Sequence, residues 1–211
     1  MNPAPHPPGK ARPGGRTART REAVLTAVFD ELAESGFGAL TMEGIAQRSG
    51  IHLATIYRRW RNIEGLVCDL LTDVSSTSVP LADTGTLDGD LRALAHSLQT
   101  LYEAARVRGL LDAVVSAAAR QPEAAGILRD FFDARLQLAG AMVGRAIDRG
   151  EIPDDTDPVA VISGLAAPFY YRLLIARRPV DRALADSAAL AVRAGVEAGA
   201  YRTGGGPWGS D

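Results

Sequence analysis

The chain has 211 residues, of which 46% are hydrophobic and only 6% aromatic, and a formal net charge of −2 at pH 7. This length allows a sizeable core in one or two domains, and the excess of aliphatic over aromatic residues favours packed helices over sheets. The single cysteine, Cys68, excludes a disulfide framework within the chain and a cysteine-based zinc finger.

Neither a membrane span nor a secretory signal is expected. On inspection, no apolar run reaches the roughly 18–20 residues that cross a bilayer. The N-terminal segment is charged and has no apolar centre. We therefore expect a cytoplasmic protein with no membrane partner.

Charge is distributed unevenly along the chain. Residues 1–62 carry nine Lys and Arg against five Asp and Glu, whereas residues 63–211 carry fourteen against twenty. Because DNA meets only the face presented to it, a basic N-terminal third is compatible with nucleic-acid binding despite the negative total.

Residues 1–16 are rich in Pro, Gly and Arg and are predicted to form a disordered basic tail. The tail could be merely solvated, or it could be an arm whose Arg12, Arg16 and Arg19 reach the DNA backbone or minor groove. Both interpretations stay open for its last residues. A helix is then predicted from Thr17 or Thr20 to Ser35, with apolar residues at helical spacing along one face.

The segment from Thr41 to Trp60 predicts two short helices about a tight turn. Thr41 is a suitable N-cap, Gly50 can adopt the left-handed conformation that ends the first helix, and the second helix starts near His52. Two helices joined in this way form a helix-turn-helix unit, whose second helix enters the DNA major groove.

Side chains at the N-terminal end of that second helix are expected to meet base edges, and the longer polar ones to meet phosphates. An ordinary solvated face is the alternative interpretation of the arginine cluster 58–61. The predicted base contacts are His52, Leu53 and Ala54, and the remaining predicted DNA contacts are Thr41, Thr55, Tyr57, Arg58, Arg59 and Arg61.

This motif and its flanks resemble the DNA-binding domain of the TetR family of bacterial transcriptional regulators over about residues 17–66. One position departs from the family pattern, because Ile63 stands where the family usually has Lys, and Arg61 is the nearest cation. The residues that carry the resemblance are Val24-Leu25, Ala27, Gly36-Phe37, Thr41, Ile45-Ala46, Gly50-Ile51, Thr55-Ile56-Tyr57 and Trp60.

An all-α fold of about nine helices is therefore expected. The helix-turn-helix domain at 17–62 is followed by a connecting helix at 63–78, which is capped by Asn62, and the Pro/Gly loop at 79–85 is the predicted domain boundary. A helical ligand-binding and dimerisation domain is predicted at 86–202. Its first helix is capped by Thr86 and has an apolar stripe that reaches Leu101, and further helices are expected near 110–120, 122–148, 158–178 and 181–201. A disordered tail is predicted at 203–211.

The last two of these helices are crowded with small residues, and Pro168 predicts a kink in the first. Internal packing is one explanation for the small residues. The resemblance implies the other, since the last two helices of each TetR subunit form a four-helix dimer interface. The predicted interface residues are Leu173, Ala188, Ala189, Val192 and Val196.

Aromatic residues beside the predicted kink favour a cavity, although most such residues are simply core. By resemblance, the effector pocket of the family lies inside this helical bundle, and the residues here indicate an apolar or aromatic guest. The predicted lining is Leu98, Leu101, Tyr102, Phe131, Phe132, Phe169 and Tyr170.

These features predict a homodimeric TetR-like regulator, with a repressor favoured, that binds a pseudo-palindromic double-stranded DNA operator and is released by a small effector. A helical interaction module, or an activator that uses the same motif without ligand control, is the alternative. An enzyme is not expected, because the three histidines at 6, 52 and 96 and the one cysteine show no paired spacing. No catalytic residue, cofactor or metal site is predicted.

Overall fold

The computed structural model describes residues 15–203, except for the side chain of Arg16. The predicted arm residue Arg12 and most of both predicted tails lie outside this range. At the inner edges of the tails the prediction is wrong. Gly15 and Arg16 already belong to the first helix, and the backbone N–H of Thr203 donates to the Asp155 carbonyl at 2.7 Å.

Four helices form the N-terminal unit: α1 Gly15–Ser35, α2 Met42–Ser49, α3 Leu53–Trp60 and α4 Ile63–Ser78. A 3-10 turn, Phe37–Ala39, joins the first two. Gly36 and Gly50 have φ values of 75° and 69°, a left-handed region that suits glycine, so each helix ends where the sequence predicts. Asn62 caps α4 by accepting the N–H of Gly65 at 3.0 Å.

Five further helices form the C-terminal bundle: α5 Leu87–Glu103, α6 Ala105–Ala118, α7 Pro122–Asp148, α8 Pro158–Tyr170 and α9 Arg182–Glu197. The predicted all-α fold is thus confirmed for the described residues, which also contain an isolated bridge between Thr156 and Arg202. Two boundaries differ clearly from the prediction. Helix α6 begins earlier, at Ala105, directly after the extended residue Ala104, which ends α5. Helix α9 ends before Tyr201, because Gly199 turns the chain at φ 75°.

Pro168 does not end α8. The helix continues through it and then widens into a π-helical segment, Tyr171–Ile175. Proline has no N–H to give to the carbonyl four residues earlier, and π-helical turns are one way in which a helix accommodates a disrupted hydrogen-bond ladder.

The combined segment Pro158–Ile175 is long and apolar enough to cross a membrane by length and composition alone, with a mean hydropathy of 1.4 over 18 residues. This corrects the expectation that no apolar run reaches that length. A core helix of a folded bundle passes the same test, and α8 packs here against α7 and α9.

Two hydrophobic cores divide the molecule, but not at the 79–85 loop. The core around α1–α4 also contains residues of α6 and α7, and Val74 of α4 packs against both cores. The DNA-binding unit and the bundle therefore share helices as well as a linker. The α6 and α7 residues in the N-terminal core are Leu110, Val114, Ala117, Ala124 and Ile127.

Candidate DNA-binding surface and bundle cavities

The recognition helix, α3, is fixed from its inner face. Ile56 and Trp60 are buried, and the preceding helix is held by Thr41, whose hydroxyl oxygen accepts the N–H of Gly44 at 3.0 Å. His52 is the N-cap residue of α3, but its side chain makes no capping hydrogen bond. The imidazole is therefore available to a base edge at the N-terminal end of the helix.

Seven of the nine predicted DNA contacts are exposed on this unit, and two are half-buried. The side chain of Leu53 packs partly against the N-terminal core, so it presents only part of its surface to a ligand. Thr55 is likewise half-buried. The exposed residues are Thr41, His52, Ala54, Tyr57, Arg58, Arg59 and Arg61.

The arginines of α3 lack anionic partners. Arg58, Arg59 and Arg61 form no ion pair with any residue that the structure describes, whereas Arg48 on α2 is paired with Glu31 and Glu34. The guanidinium carbon of Arg59 lies 5.1 Å from the centre of the Trp60 ring, within the range of a cation–π contact. This end of the molecule thus presents three exposed arginines that form no ion pair within the described residues.

Arg61 has a φ of 63°, which is uncommon for a residue other than glycine. Its N–H donates to the carbonyl of Tyr57 at 3.1 Å, so it closes α3 while the chain turns directly into α4. The turn leaves the Arg61 side chain exposed next to the recognition helix.

Asp69 of α4 holds the end of the recognition helix, a role that sequence reasoning missed. Its carboxylate accepts the indole N–H of Trp60 at 2.8 Å and two N–H groups of Arg21 from α1, at 2.6 and 3.0 Å. Partial burial raises the pKa of Asp69, but the hydrogen bonds from Arg21 and Trp60 together outweigh it and lower the pKa below the ordinary value. The available signal was a carboxylate directly before the apolar pair Leu70-Leu71, one turn before Asp73, which also pairs with Arg21.

The start of α1 lies beside α3. Thr17 and Thr20 border a surface groove together with Gly50–His52, Thr55, Arg58 and Arg59. Arg19, one of the three predicted arm residues, donates instead to the carbonyl of Gly15 in its own helix at 3.1 Å.

Two adjoining cavities, each partly open to solvent, lie between helices of the bundle and have volumes of about 270 and 60 Å³. Their common wall is formed by Val79, Leu98, Phe132, Arg135 and Tyr170. The smaller cavity reaches α4, where it is lined by Leu71, Val74 and Ser75.

Six of the seven predicted ligand residues line the smaller cavity, and three of them, Leu98, Phe132 and Tyr170, also line the larger one. Phe169 is the exception, because it is completely buried in the bundle core and lines neither cavity. Its neighbour Tyr170 faces the cavities instead, since successive helical residues point about 100° apart. The six are Leu98, Leu101, Tyr102, Phe131, Phe132 and Tyr170.

The predicted dimer-interface residues lie in the core of one chain. They are only 1–7% exposed, because α9 packs along α5 and α8 and turns this stripe inward. They cannot offer a surface to a second copy, and their assignment to the interface is corrected. The residues are Leu173, Ala188, Ala189, Val192 and Val196.

Part of the small-residue pattern also has an internal cause. Tyr201 folds back over α8 and α9, where a β-carbon on Gly164 would lie 2.5 Å from its hydroxyl oxygen and one on Gly195 would lie 2.7 Å from its ring. Both glycines therefore leave room for this ring.

Two family models match the chain. Residues 24–70 match the model described as bacterial regulatory proteins, tetR family, and residues 81–192 match the tetracyclin repressor-like C-terminal domain. The chain belongs to the TetR family.

Relatives and solved structures of the TetR family agree with this assignment. The transcriptional regulator AqdR of Rhodococcus erythropolis is 31% identical over 147 residues, which are 70% of each chain. The uncharacterized regulator YdeS of Bacillus subtilis is 28% identical over 184 residues, 87% of this chain and 92% of YdeS. The crystal structure of the TetR family regulator SCO0332 superimposes with a TM-score of 0.69 at 28% identity, covering 84% of this chain and 98% of that one.

Membership in the TetR family establishes the coarse function. The protein is a DNA-binding regulator of transcription, and its relatives and fold are those of transcription regulators rather than enzymes.

Proposed function

We propose that this TetR-family protein is a cytoplasmic, homodimeric repressor that binds a pseudo-palindromic operator and is released by a small apolar or aromatic effector. The observation that carries the proposal is the outer face and C-terminal end of α3, where Tyr57, His52 and three arginines that have no ion-pair partner among the described residues are exposed. Binding over a promoter would exclude RNA polymerase by steric overlap.

Contacts on DNA are assigned by position and chemistry. His52 and Ala54, with the exposed part of Leu53, would meet base edges, where an imidazole forms hydrogen bonds and an alkyl group contacts a thymine methyl. Tyr57, Arg58, Arg59 and Arg61 would bind phosphates, as would the hydroxyls of Thr41 and Thr55. The Thr41 hydroxyl accepts one bond within α2 and keeps its own proton to donate.

Dimerisation is assigned to the outward face of α8 and α9 in place of the buried stripe. Tyr171, Ile175 and Leu190 are 63%, 72% and 61% exposed, which is unusual for such large apolar side chains. A two-fold pairing of this face would bury them and would fix two recognition helices at one separation, as a two-part operator requires. The small exposed residues around them are Ala167, Ala183, Ala191, Ala194 and Ala198.

Effector control is assigned to the bundle cavities. Helix α4 links them to DNA, because Leu71 and Val74 line the smaller cavity while Asp69, on the same helix, is hydrogen-bonded to Trp60 of α3. A ligand that binds better when α4 is displaced would shift the population away from the DNA-binding arrangement.

Selection from random DNA, followed by footprinting and in vitro transcription, tests the proposal. We expect two half-sites related by a two-fold axis, an affinity that falls steeply with salt, and reduced transcription from a promoter that overlaps the site. Absence of DNA binding would favour an interaction module, and increased transcription would favour an activator.

A half-site preference unchanged by His52→Ala would remove His52 from base reading. Gln137→Ala, a change at an exposed position of α7, is the matched control and should leave that preference intact.

A further inference from the structure

Arg135 of α7 lies in the common wall of the two cavities, among apolar residues. One of its terminal nitrogens donates to the carbonyl of Val79 at 2.6 Å. No carboxylate within residues 15–203 forms an ion pair with it, and its remaining N–H groups have no hydrogen-bond acceptor in that range. Burial lowers the pKa of Arg135, but an arginine still keeps its proton at neutral pH.

Arg145, nearly three turns further along the same helix, shows an arginine with carboxylate partners. Its guanidinium nitrogens lie 3.4 Å from a carboxylate oxygen of Asp83 and 3.5 Å from one of the fully buried Asp90. One of them also donates to the carbonyl of Ala82. Arg135 is half-buried, so solvent still reaches part of its guanidinium, and a bound anion would replace that water with a charge-assisted hydrogen bond. Arg135 therefore differs from Arg145 in lacking the anion.

Tyr170 adds a second donor to the same wall. Its oxygen accepts the hydroxyl proton of Tyr102 at 3.1 Å. The hydroxyl proton of Tyr170 itself has no acceptor among the described residues. Burial raises the pKa of both tyrosines, so they are neutral hydroxyls at physiological pH and can donate.

A guanidinium and a hydroxyl in one wall, with an apolar chamber beside them, match a molecule with one acidic head and a hydrocarbon body. A neutral guest would leave Arg135 unpaired, and a cation would be repelled. A phosphate monoester would bring up to two negative charges, whereas Arg135 is the one cation among the described residues that line these cavities. The larger cavity, at about 270 Å³, exceeds the roughly 150 Å³ apolar cavity that accepts benzene, so it can hold the body of such a molecule.

We propose that the effector is an apolar monocarboxylic acid whose carboxylate binds Arg135 and Tyr170 and whose hydrocarbon or aromatic part fills the larger cavity. The inference rests on the proposed effector role of these cavities and narrows its chemical class. Leu94, Ala139, Ile162 and Ala166 would contact the apolar part.

Calorimetric titration of the full chain with decanoate, decanol and decylamine tests the proposal. Decanoate should bind at least about tenfold more tightly than decanol, since a hydrogen bond to a charged group is worth about 1.5–3 kcal/mol, and decylamine should bind most weakly. Arg135→Gln should abolish the preference for the acid while keeping decanol binding. Tyr170→Phe should reduce the preference by a smaller factor.

Arg92→Gln makes the same change of charge on the exposed face of α5 and should leave the preference intact. Arg135→Lys keeps the charge and should retain part of it. Melting curves of each variant show whether loss of the Val79 contact, rather than loss of the acid site, explains a change.

Equal affinity for acid and alcohol, or no binding of any probe, would overturn the proposal. In both cases Arg135 would be a structural anchor for the 79–85 loop. Operator affinity is measured separately, so the DNA-binding function can stand when the acid site fails. An acid that binds with the expected preference but does not release DNA would contradict the proposed effector role and leave the binding site established.

Discussion

Trp60 shows how one buried residue organises several exposed ones. Its ring fills the inner face of α3, its indole N–H donates to Asp69, and the Arg59 guanidinium lies over its face. Arg59 is thereby held near the position from which it would reach a phosphate, whereas a free arginine would lose more side-chain entropy on binding.

Tyr57→Ala and Arg59→Ala should each weaken operator binding strongly, with little change in melting temperature or oligomeric state. Tyr57 is 43% exposed and Arg59 has no ion pair among described residues, so neither contributes much to the fold. Fluorescence anisotropy at physiological salt measures the loss, and the slope of log affinity against log salt should fall by about one for Arg59→Ala.

Arg92→Gln serves here too as the control, because it removes a charge on α5 away from α3. Wild-type affinity in either α3 variant would show that α3 meets DNA through a different face.

Cys68 should be a slow nucleophile in the folded protein. Burial raises the pKa of its thiol, so only a small fraction is thiolate at neutral pH. Ellman's reagent at pH 7 should react more slowly with the native chain than with the urea-unfolded chain. Equal rates would contradict the partial burial of Cys68 against the N-terminal core.

Residue-level features that depend on near neighbours in the sequence are predictable here. The side chains of Thr41, Asn62, Thr86, Asp157 and Asp181 each accept a backbone N–H at the start of a helix, as their positions indicate. The cavity role predicted for Phe169 is wrong, and the contact between Asp69 and Arg21 was not predicted. Both depend on helix packing, which decides which of two adjacent aromatic residues faces a cavity and which arginine meets a carboxylate 48 positions away.

Among the helices, α4 connects the other parts of the molecule. It binds α1 and α3 through Asp69, packs on α7, and lines the smaller cavity through Leu71 and Val74. The sequence predicts its bounds and its connecting position, but its polar contacts appear only in the fold.

Asp69→Asn should weaken operator binding without changing the oligomeric state, since the amide offers one acceptor oxygen where the carboxylate offers two and leaves Asp73 as the one described carboxylate paired with Arg21. The folded-state pKa of Asp69 is lowered, so its stabilising effect is present above the unfolded-state pKa and is lost as pH falls through the lower folded value. In urea unfolding, the free energy of unfolding of the variant should be lower than that of the wild type by a constant amount above about pH 5. This difference should shrink at more acidic pH.

Asp130→Asn makes the same change at an exposed position of α7 and should not lower the free energy of unfolding in this way. A deficit for Asp69→Asn that grows on acidification would reverse the sign assigned to this carboxylate.

At the scale of the whole molecule, the sequence predicts that the last two helices are apolar around most of their circumference. It does not predict which face packs inside the chain and which is exposed to a second copy. Burial within a chain and burial between chains select the same residue types. Val192 and Val196 pack inside, and Leu190, on the opposite side of α9, is exposed.

Leu190→Glu should therefore give a folded monomer with much weaker operator binding. Two-fold pairing of the outward face would bring the two added carboxylates close together without partners. Sedimentation velocity measures the monomer, and circular dichroism confirms that its helices are intact.

Ala134→Glu adds the same charge to an exposed position on α7 and should remain dimeric. A dimeric Leu190→Glu variant would place the interface on another surface. Val192→Glu is unsuitable for this purpose, because it places a charge in the core of the bundle.

The sharing of α6 and α7 between the two cores limits how this protein can be recombined with its relatives. A hybrid that joins residues 15–78 to a foreign bundle would carry half of an apolar interface, whose other half is Leu110, Val114, Ala117, Ala124 and Ile127. The DNA-reading part of this chain is thus not an interchangeable cassette. Exchange of operator specificity within the family requires either a matched α6–α7 segment or substitutions confined to the outer face of α3.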